Sequence, residues 1–184
     1  IANENAAWES SLPTTQGSKL YAGRMTLKSG VSIIRFSSGA ELTLEAPAVL
    51  ELVDPMHGIL HQGNGIVNVP DSAQGFVLRT PTGYAVDHGT AFGVSVSQDG
   101  KLSDFKVLEG EISIHASNGK SLFLLQNESA SLSATGISDK NVMIAGEAVP
   151  EPTKQNQLIR FQTEGRCQSI IRNNKIEHLN PDYL

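Results

Sequence analysis

Residues 41–52 read ELTLEAPAVLEL, and apolar and polar side chains alternate along this stretch. The even-numbered positions hold only leucine and alanine, whereas the odd-numbered positions are mostly polar. Because successive side chains of a strand point to opposite faces, the pattern predicts a strand with one buried and one solvated face. Proline donates no ladder hydrogen bond, so Pro47 predicts either a break into two strands or a position at a sheet edge. We interpret Glu41, Glu45 and Glu51 as this solvated face rather than as the opposed carboxylates of a glycosidase.

Turn-forming pairs recur along the chain at intervals typical of short strands. They are Ser38-Gly39, Asp54-Pro55, Asn64-Gly65, Pro70-Asp71, Thr82-Gly83, Asp99-Gly100 and Asn118-Gly119. Each pair supplies the positive or preset φ that a tight reversal needs. Between them lie apolar runs of strand length, at residues 75–80, 84–88, 91–97, 102–108, 111–115 and 121–125. The sequence therefore predicts an all-β fold of short antiparallel strands, as a sandwich or barrel or as a twisted solenoid-like β domain.

Composition divides the chain into three parts. Residues 1–18 are polar and are predicted to be an N-terminal arm, whose Trp8 packs back onto the domain because a large aromatic ring is poorly accommodated in water. Residues 19–149 are predicted to form the β domain. Residues 150–184 begin with closely spaced prolines and are interpreted as a linker or the start of a truncated downstream module.

The charge pattern and the chain ends limit the classes of function. The net charge is −5 and no basic cluster occurs, which argues against nucleic-acid binding. No segment approaches the roughly 18 apolar residues of a membrane span. The chain starts at Ile1 without an initiator methionine or a signal-peptide pattern, so we expect any anchor or export signal to lie upstream of it.

No residue pattern in the sequence indicates catalysis, a metal or a cofactor. His57 and His61 have the spacing of a helical ligand pair, but they lie in a β-patterned region without the glutamate of a zincin motif. Cys167 is the lone cysteine and has no CxxC partner, and neither a nucleophile elbow nor a phosphate-binding glycine loop is present. We therefore predict no catalytic, cofactor-binding or metal-binding residues, and hence a non-enzymatic protein.

Residues 75–96, GFVLRTPTGYAVDHGTAFGVSV, and residues 107–112 carry a resemblance to a known family. A strand ending in Thr80-Pro81 precedes an Asp-x-Gly-Thr-x-Phe turn, and Glu109-Gly110-Glu111 follows downstream. The turn consists of Asp87, Gly89, Thr90 and Phe92. This order resembles the signature of the FecR (ferric citrate regulator) domain family, and residues 30–48 resemble its version in planctomycete-like surface or regulatory proteins. The resemblance covers residues 19–133, and His88 departs from it because the family usually has an apolar residue there.

The physical chemistry of the signature residues favours a structural role. Gly89 is expected to supply a positive φ or a crowded backbone position, and Asp87 and Thr90 have short side chains that cap turn N–H groups. Phe92 begins an alternating run that points into the core, and Gly110 is expected at a hairpin or a corner.

The resemblance also implies a function and a location. FecR-like proteins are membrane-anchored regulators whose extracytoplasmic β domain receives a signal from a protein partner, while a cytoplasmic segment controls a sigma factor. It therefore implies a domain in the periplasm or at the cell surface, with an envelope protein as partner and, through the missing upstream part, a sigma factor. Membrane contact would come only through an anchor outside this chain.

An alternative is a structural or glycan-associated module of a cell-surface protein, followed by a lectin-like (laminin-G or concanavalin-type) domain. Aromatic residues make up only 5% of the chain, and Phe76 and Phe92 are expected to point inward, which weighs against direct sugar binding.

Overall fold

The structure, a computed structural model, describes residues 1–142 and the strand residues 160–161, 169–172 and 175–178. The chain divides into two units, Ile1–Met143 and Ile144–Leu184. Within the described residues there is no helix with the length and apolar character of a membrane span. The domain boundaries drawn from the sequence remain predictions.

The first unit is built from strands, which confirms the all-β prediction. Its described strands are β1 (Ala2–Ser10), β2 (Gly23–Arg35), β3 (Glu41–Asp54), β4 (His57–Asn68), β5 (Val77–Thr80), β6 (Gly83–Asp87), β7 (Ala91–Val96), β8 (Leu102–Glu109), β9 (Glu111–Ala116), β10 (Ser121–Leu125), β11 (Glu128–Ser133), β12 (Gly136–Ile137) and β13 (Asn141–Val142). They belong to one nearly closed, barrel-like sheet, and the remaining regular element of residues 1–142 is a single 3-10 turn, Asp71–Ala73.

Strand β4 is the point at which this sheet forks. On one side it pairs with β3, which continues antiparallel through β2 to β1. On its other side the first residues of β4 pair in parallel with β5, and its later residues pair antiparallel with β7. One branch then runs β5-β6-β9-β10, and the other runs β7-β8-β11, with β12 and β13 on β11. The β4–β5 pair departs from the predicted antiparallel pattern, because residues 69–76 carry the chain back to the start of β4.

The two branches enclose a single core. Phe76 from the first branch and Phe92 and Phe105 from the second are fully buried and belong to the same apolar cluster as the leucines of β3. A buried hydrogen bond also joins the branches, because Thr82 Oγ1, in the β5–β6 turn, donates to Ser103 Oγ of β8 at 2.7 Å. The branches therefore pack face to face, as in the sandwich or barrel alternative.

The prediction for Pro47 is wrong, because β3 is one continuous strand flanked on both sides by β2 and β4. The pairing is interrupted instead of the strand. The β2–β3 pairing is interrupted between Leu27 and Val31 of β2, opposite residues 45–48 of β3. The β3–β4 pairing is interrupted between Glu45 and Val49 of β3, and Pro47 lies inside both interruptions. A proline is tolerated there because no ladder hydrogen bond is required of it.

The turn predicted at Asn64-Gly65 is also wrong, since both residues lie inside β4. A Cβ atom on Gly65 would lie 3.0 Å from Leu42 Cδ1 and 3.0 Å from the carbonyl oxygen of Thr43. This glycine therefore allows close packing of β4 on β3 and does not reverse the chain.

The N-terminal stretch contributes an outer strand. Residues of β1 pair with β2, and the half-buried ring of Trp8 packs against the core, as predicted. Its Nε1 donates a hydrogen bond to Asn3 Oδ1 at 3.1 Å.

The second unit has a small antiparallel sheet of β14 (Arg160–Phe161), β15 (Ser169–Arg172) and β16 (Lys175–His178) in its described residues. Cys167 and most of the predicted linker or truncated module lie outside the described residues.

Candidate functional site

The signature turn, defined as Asp87 to Thr90, joins β6 to β7 and is anchored by backbone hydrogen bonds. The N–H of Asp87 donates to the carbonyl of Phe76 at 2.9 Å, and the carbonyl of Asp87 accepts from the N–H of Gly75 at 3.0 Å. Oδ2 of Asp87 accepts a hydrogen bond from the N–H of Gly89 at 2.7 Å, and Gly89 has a φ of 96°. The aspartate thus closes an Asx-type turn around a residue whose backbone conformation favours glycine.

Gly110 lies directly against this turn. Strand β8 pairs with β7 and β11, whereas β9 pairs with β6 and β10, so Gly110 is a corner at which the chain passes from one branch to the other. A Cβ atom on Gly110 would lie 2.6 Å from Thr90 Cγ2 and 2.8 Å from the carbonyl oxygen of Gly89. The two motifs that resemble the FecR signature, separate in sequence, therefore form one packed unit.

The carboxyl group of Asp87 is enclosed by the protein. Its side chain is fully buried, and neither its Oδ1 nor the buried Thr90 Oγ1 has a hydrogen-bond partner within the described residues. Burial raises the pKa of Asp87 to about 6, and the backbone N–H groups of Gly89 and Thr90 oppose this rise. The Asp87 carboxyl therefore closes its own turn from a buried position, and the structural role of this residue remains a prediction.

The remaining signature residues lie elsewhere in the fold. Thr80 and Pro81 are at the opposite end of β6 from the signature turn. Thr80 is buried and its Oγ1 donates to the carbonyl of Gly83 at 3.3 Å, whereas Pro81 is exposed. Phe92 is fully buried in the core, and Glu109 is an exposed residue that ends β8.

The histidines considered as metal ligands each pair with a separate carboxylate. Nδ1 of His57 lies 2.8 Å from Asp54 Oδ1, and Nε2 of His61 lies 2.8 Å from Glu51 Oε2. Among the described residues, no group of three or more histidine, cysteine, aspartate or glutamate side chains is placed to hold a metal ion.

Sequence reasoning missed a cluster on the outer side of the β5-β6-β9-β10 branch, which we call the aromatic face. It consists of Arg79, Tyr84, His88, His115 and Phe123. The rings of Tyr84 and His115 stack at 4.6 Å, and the guanidinium of Arg79 lies 5.8 Å from the Tyr84 ring centre. The alternation of side chains directs the four strand residues of this face outward, and His88 follows the end of β6 with the same outward direction as Tyr84. Only the non-sequential strand order brings the five residues together.

His88, the departure from the signature, belongs to this aromatic face. Its Nε2 lies 3.1 Å from Ser113 Oγ, and Nε2 of His115 lies 3.2 Å from the same hydroxyl oxygen. The His88 ring also stacks on Phe123, with 5.8 Å between ring centres. A polar ring at this position therefore has polar and aromatic partners on the outside of the sheet.

Comparison with known proteins gives a likeness of fold. No family model and no curated protein matches the sequence. Two crystal structures, each of a proposed anti-sigma factor from Parabacteroides distasonis, superpose with a TM-score of 0.56 at 19% sequence identity. They cover 66% and 65% of this chain, which spans 60% and 59% of the solved chains. The chain thus shares its fold with part of these proteins.

Proposed function

We propose that the chain is a non-enzymatic, signal-receiving β domain of a FecR-like anti-sigma regulator. The observation that carries the proposal is the shared fold with proposed anti-sigma factors over about two thirds of the chain. The signature resemblance of residues 75–96 and 107–112 supports it independently, because it rests on the sequence and not on the fold.

The geometry of the signature supports a regulatory module over an enzyme. Asp87, Gly89, Thr90 and Gly110 fit together as a packed corner, and their polar groups bind backbone or are enclosed in the protein. Such a domain acts through its surface, by contact with another protein. In this proposal the domain lies in the periplasm or at the cell surface, tethered by a segment outside the chain, and its bound state reaches a sigma factor through that segment.

A transcription reporter tests the proposal. In the full-length protein, the domain is deleted, and sigma-dependent transcription is measured with and without the native inducing condition. We expect the deletion to uncouple transcription from the signal, giving either a constant high or a constant low output. A full-length variant with the exposed Tyr21 changed to serine controls for manipulation of the gene, and it should respond as wild type. An unchanged signal response after deletion would overturn the proposal.

A glycan-associated surface module is a second candidate, favoured by the aromatic face. The stacked Tyr84–His115 pair and the exposed Phe123 offer the kind of flat surface on which sugar rings stack. A glycan array would support this candidate if it gave specific binding that Phe123→Ala and Tyr84→Ala abolish. If no glycan binds, the glycan-associated candidate fails and the regulatory proposal is the one that remains.

A further inference from the structure

Strand β10 is an edge of its branch. Within residues 1–142 and the other described strands, it pairs with β9 and with nothing on its other side. The N–H of Ala116 donates to the carbonyl of Lys120, so these two opposite residues are a hydrogen-bonded pair of the β9–β10 hairpin. Since the ladder alternates, Leu122 and Leu124 bond to β9, and Ser121, Phe123 and Leu125 direct their backbone groups outward. The N–H of Leu125 confirms this direction, because it donates to Glu128 Oε2 at 2.8 Å.

Large apolar side chains accompany this free edge. Phe123 is 58% exposed and Leu125 is 51% exposed, on the same face, whereas Leu124 between them is buried. Proteins commonly protect edge strands with charges or proline, because an open apolar edge pairs with other strands. The N–H of Leu125 is already bonded to Glu128, but the outward backbone groups of Ser121 and Phe123 remain for a partner strand. The edge of β10 therefore offers main-chain groups at these two residues and apolar contacts at alternate positions, as a strand-addition site does.

The charges around β10 are unequal at its two ends. Lys120, in the hairpin before β10, has no carboxylate partner within the described residues. Glu111 and Glu128 lie at the other end, beside Leu125, and Glu128 is ion-paired there with Lys140. In a chain of net charge −5, the hairpin end is thus a local basic site. A partner strand is complementary when its acidic residues lie beside Lys120.

We infer that β10 is the docking edge for one extended segment of a partner protein, apolar at alternate positions and acidic at the end beside Lys120. The inference rests on the proposed function and names the surface through which the signal is received. The segment adds a strand next to β10, with main-chain bonds to Phe123, side-chain contacts to Phe123 and Leu125, and a charge contact to Lys120.

Amide hydrogen exchange of the full chain, followed by NMR, tests this inference. The probe is a nine-residue peptide of alternating valine and threonine with two aspartates at its C-terminal end, which antiparallel addition would place beside Lys120. We expect the Phe123 amide to exchange rapidly in the free chain and about ten-fold more slowly when peptide is bound. The Leu124 amide is already paired to β9 and serves as the internal reference.

Two matched peptides show which forces hold the probe. Replacing the aspartates by lysines should weaken binding about ten-fold, because the charge contact becomes repulsive. N-methylation of the peptide amides that face β10 should abolish binding while the side chains stay unchanged.

Variants of the chain locate the site. Phe123→Lys should abolish peptide binding, because it places a charge on the edge. Val53→Lys is the matched control: Val53 is also exposed, at 42%, but it lies on β3, which is not a neighbour of β10 in the sheet, so binding should persist. Lys120→Glu should weaken binding of the aspartate peptide and strengthen binding of the lysine peptide.

Three results would overturn the inference. The first is a Phe123 amide that no peptide slows. The second is an amide already slow in the dilute free chain, since the chain itself would then cover the edge. The third is slowing that depends on protein concentration alone, since a second copy would then be the occupant.

The reporter separates this inference from the proposed function. If domain deletion uncouples the signal but Phe123→Lys in the full-length protein responds as wild type, the docking edge is wrong and the regulatory function stands. If deletion changes nothing and the peptide still binds at Phe123, the regulatory function fails and the docking edge stands.

Discussion

Asp87 makes the stability of the domain depend on pH. Its folded pKa is about 6, against an ordinary value of 3.8, so between about pH 4 and 6 the folded state keeps a proton that the unfolded chain has lost. The stability from this group is complete below about pH 4 and is lost as the pH rises through 6. At about 1.4 kcal/mol per pH unit, the loss is about 3 kcal/mol. Urea unfolding at pH 4 and pH 7 should reveal it as part of the difference in the free energy of unfolding.

Asp87→Asn is the variant that isolates this effect, because it keeps an acceptor for Gly89 and removes the titration. We expect the free energy of unfolding of Asp87→Asn to fall less between pH 4 and pH 7 than that of the wild type. Asp139→Asn, at an exposed aspartate, should behave as wild type. Identical pH dependence in the wild type and Asp87→Asn would contradict the assignment.

A comparison of alanine variants at Gly110 and Gly119 separates the cost of backbone strain from the cost of close packing. Both have positive φ, 76° and 85°, but a Cβ on Gly119 meets no atom within 4 Å, whereas one on Gly110 collides with the signature turn. We expect Gly119→Ala to cost about 1 kcal/mol from φ alone. Gly110→Ala should cost about 3 kcal/mol, because the collision adds to the strain. Chemical denaturation of both variants measures the difference, and equal costs would show that the turn and the corner are not packed together.

At the scale of elements, the alternation of side chains was enough to place most strands. Predicted residues 121–125 coincide with β10, and predicted residues 84–88 differ by one residue at each end from β6. The pattern succeeded because period-two burial is a local property. It failed at Pro47 and Gly65, since both positions depend on contacts with neighbouring strands, which the alternation within one strand does not contain.

The strand order itself could not be predicted from local patterns. Strand β4 pairs with both β5 and β7, and β6 pairs with β9, across separations that no turn signal specifies. The aromatic face depends on this order, because Arg79, Tyr84 and His115 meet across three strands. The Asx turn at Asp87 was predictable, since it involves only neighbouring residues.

Two strand glycines test how closely β3 and β4 are packed. Gly65 in β4 and Gly93 in β7 both lack a positive φ, but a Cβ on Gly93 would meet only the carbonyl oxygen of Lys106, at 4.0 Å. We expect Gly65→Ala to destabilise the domain by about 1–3 kcal/mol through overpacking. Gly93→Ala should be neutral or stabilising by up to about 1 kcal/mol, because it only restricts the unfolded chain. Thermal denaturation of the pair provides the comparison, and a neutral Gly65→Ala would contradict the tight β3–β4 contact.

At the scale of the whole molecule, the two branches leave β4 separately and must be held together across the core. The hydrogen bond from Thr82 to Ser103 is a direct polar link between them, and both side chains are buried. Removing one partner leaves the other hydroxyl buried without this hydrogen bond, so the losses of the two single variants should not be additive. The link should therefore appear as a coupling energy between the two residues.

A double-mutant cycle of Thr82→Val and Ser103→Ala measures that coupling. We expect each single variant to lose about 1–2 kcal/mol of stability and the double variant to lose about 1 kcal/mol less than their sum. Ser133 and Thr135, whose hydroxyls lie 2.8 Å apart within one exposed turn, provide the control, and their coupling should be close to zero. Additive losses for Thr82 and Ser103 would mean that this hydrogen bond does not couple the two branches.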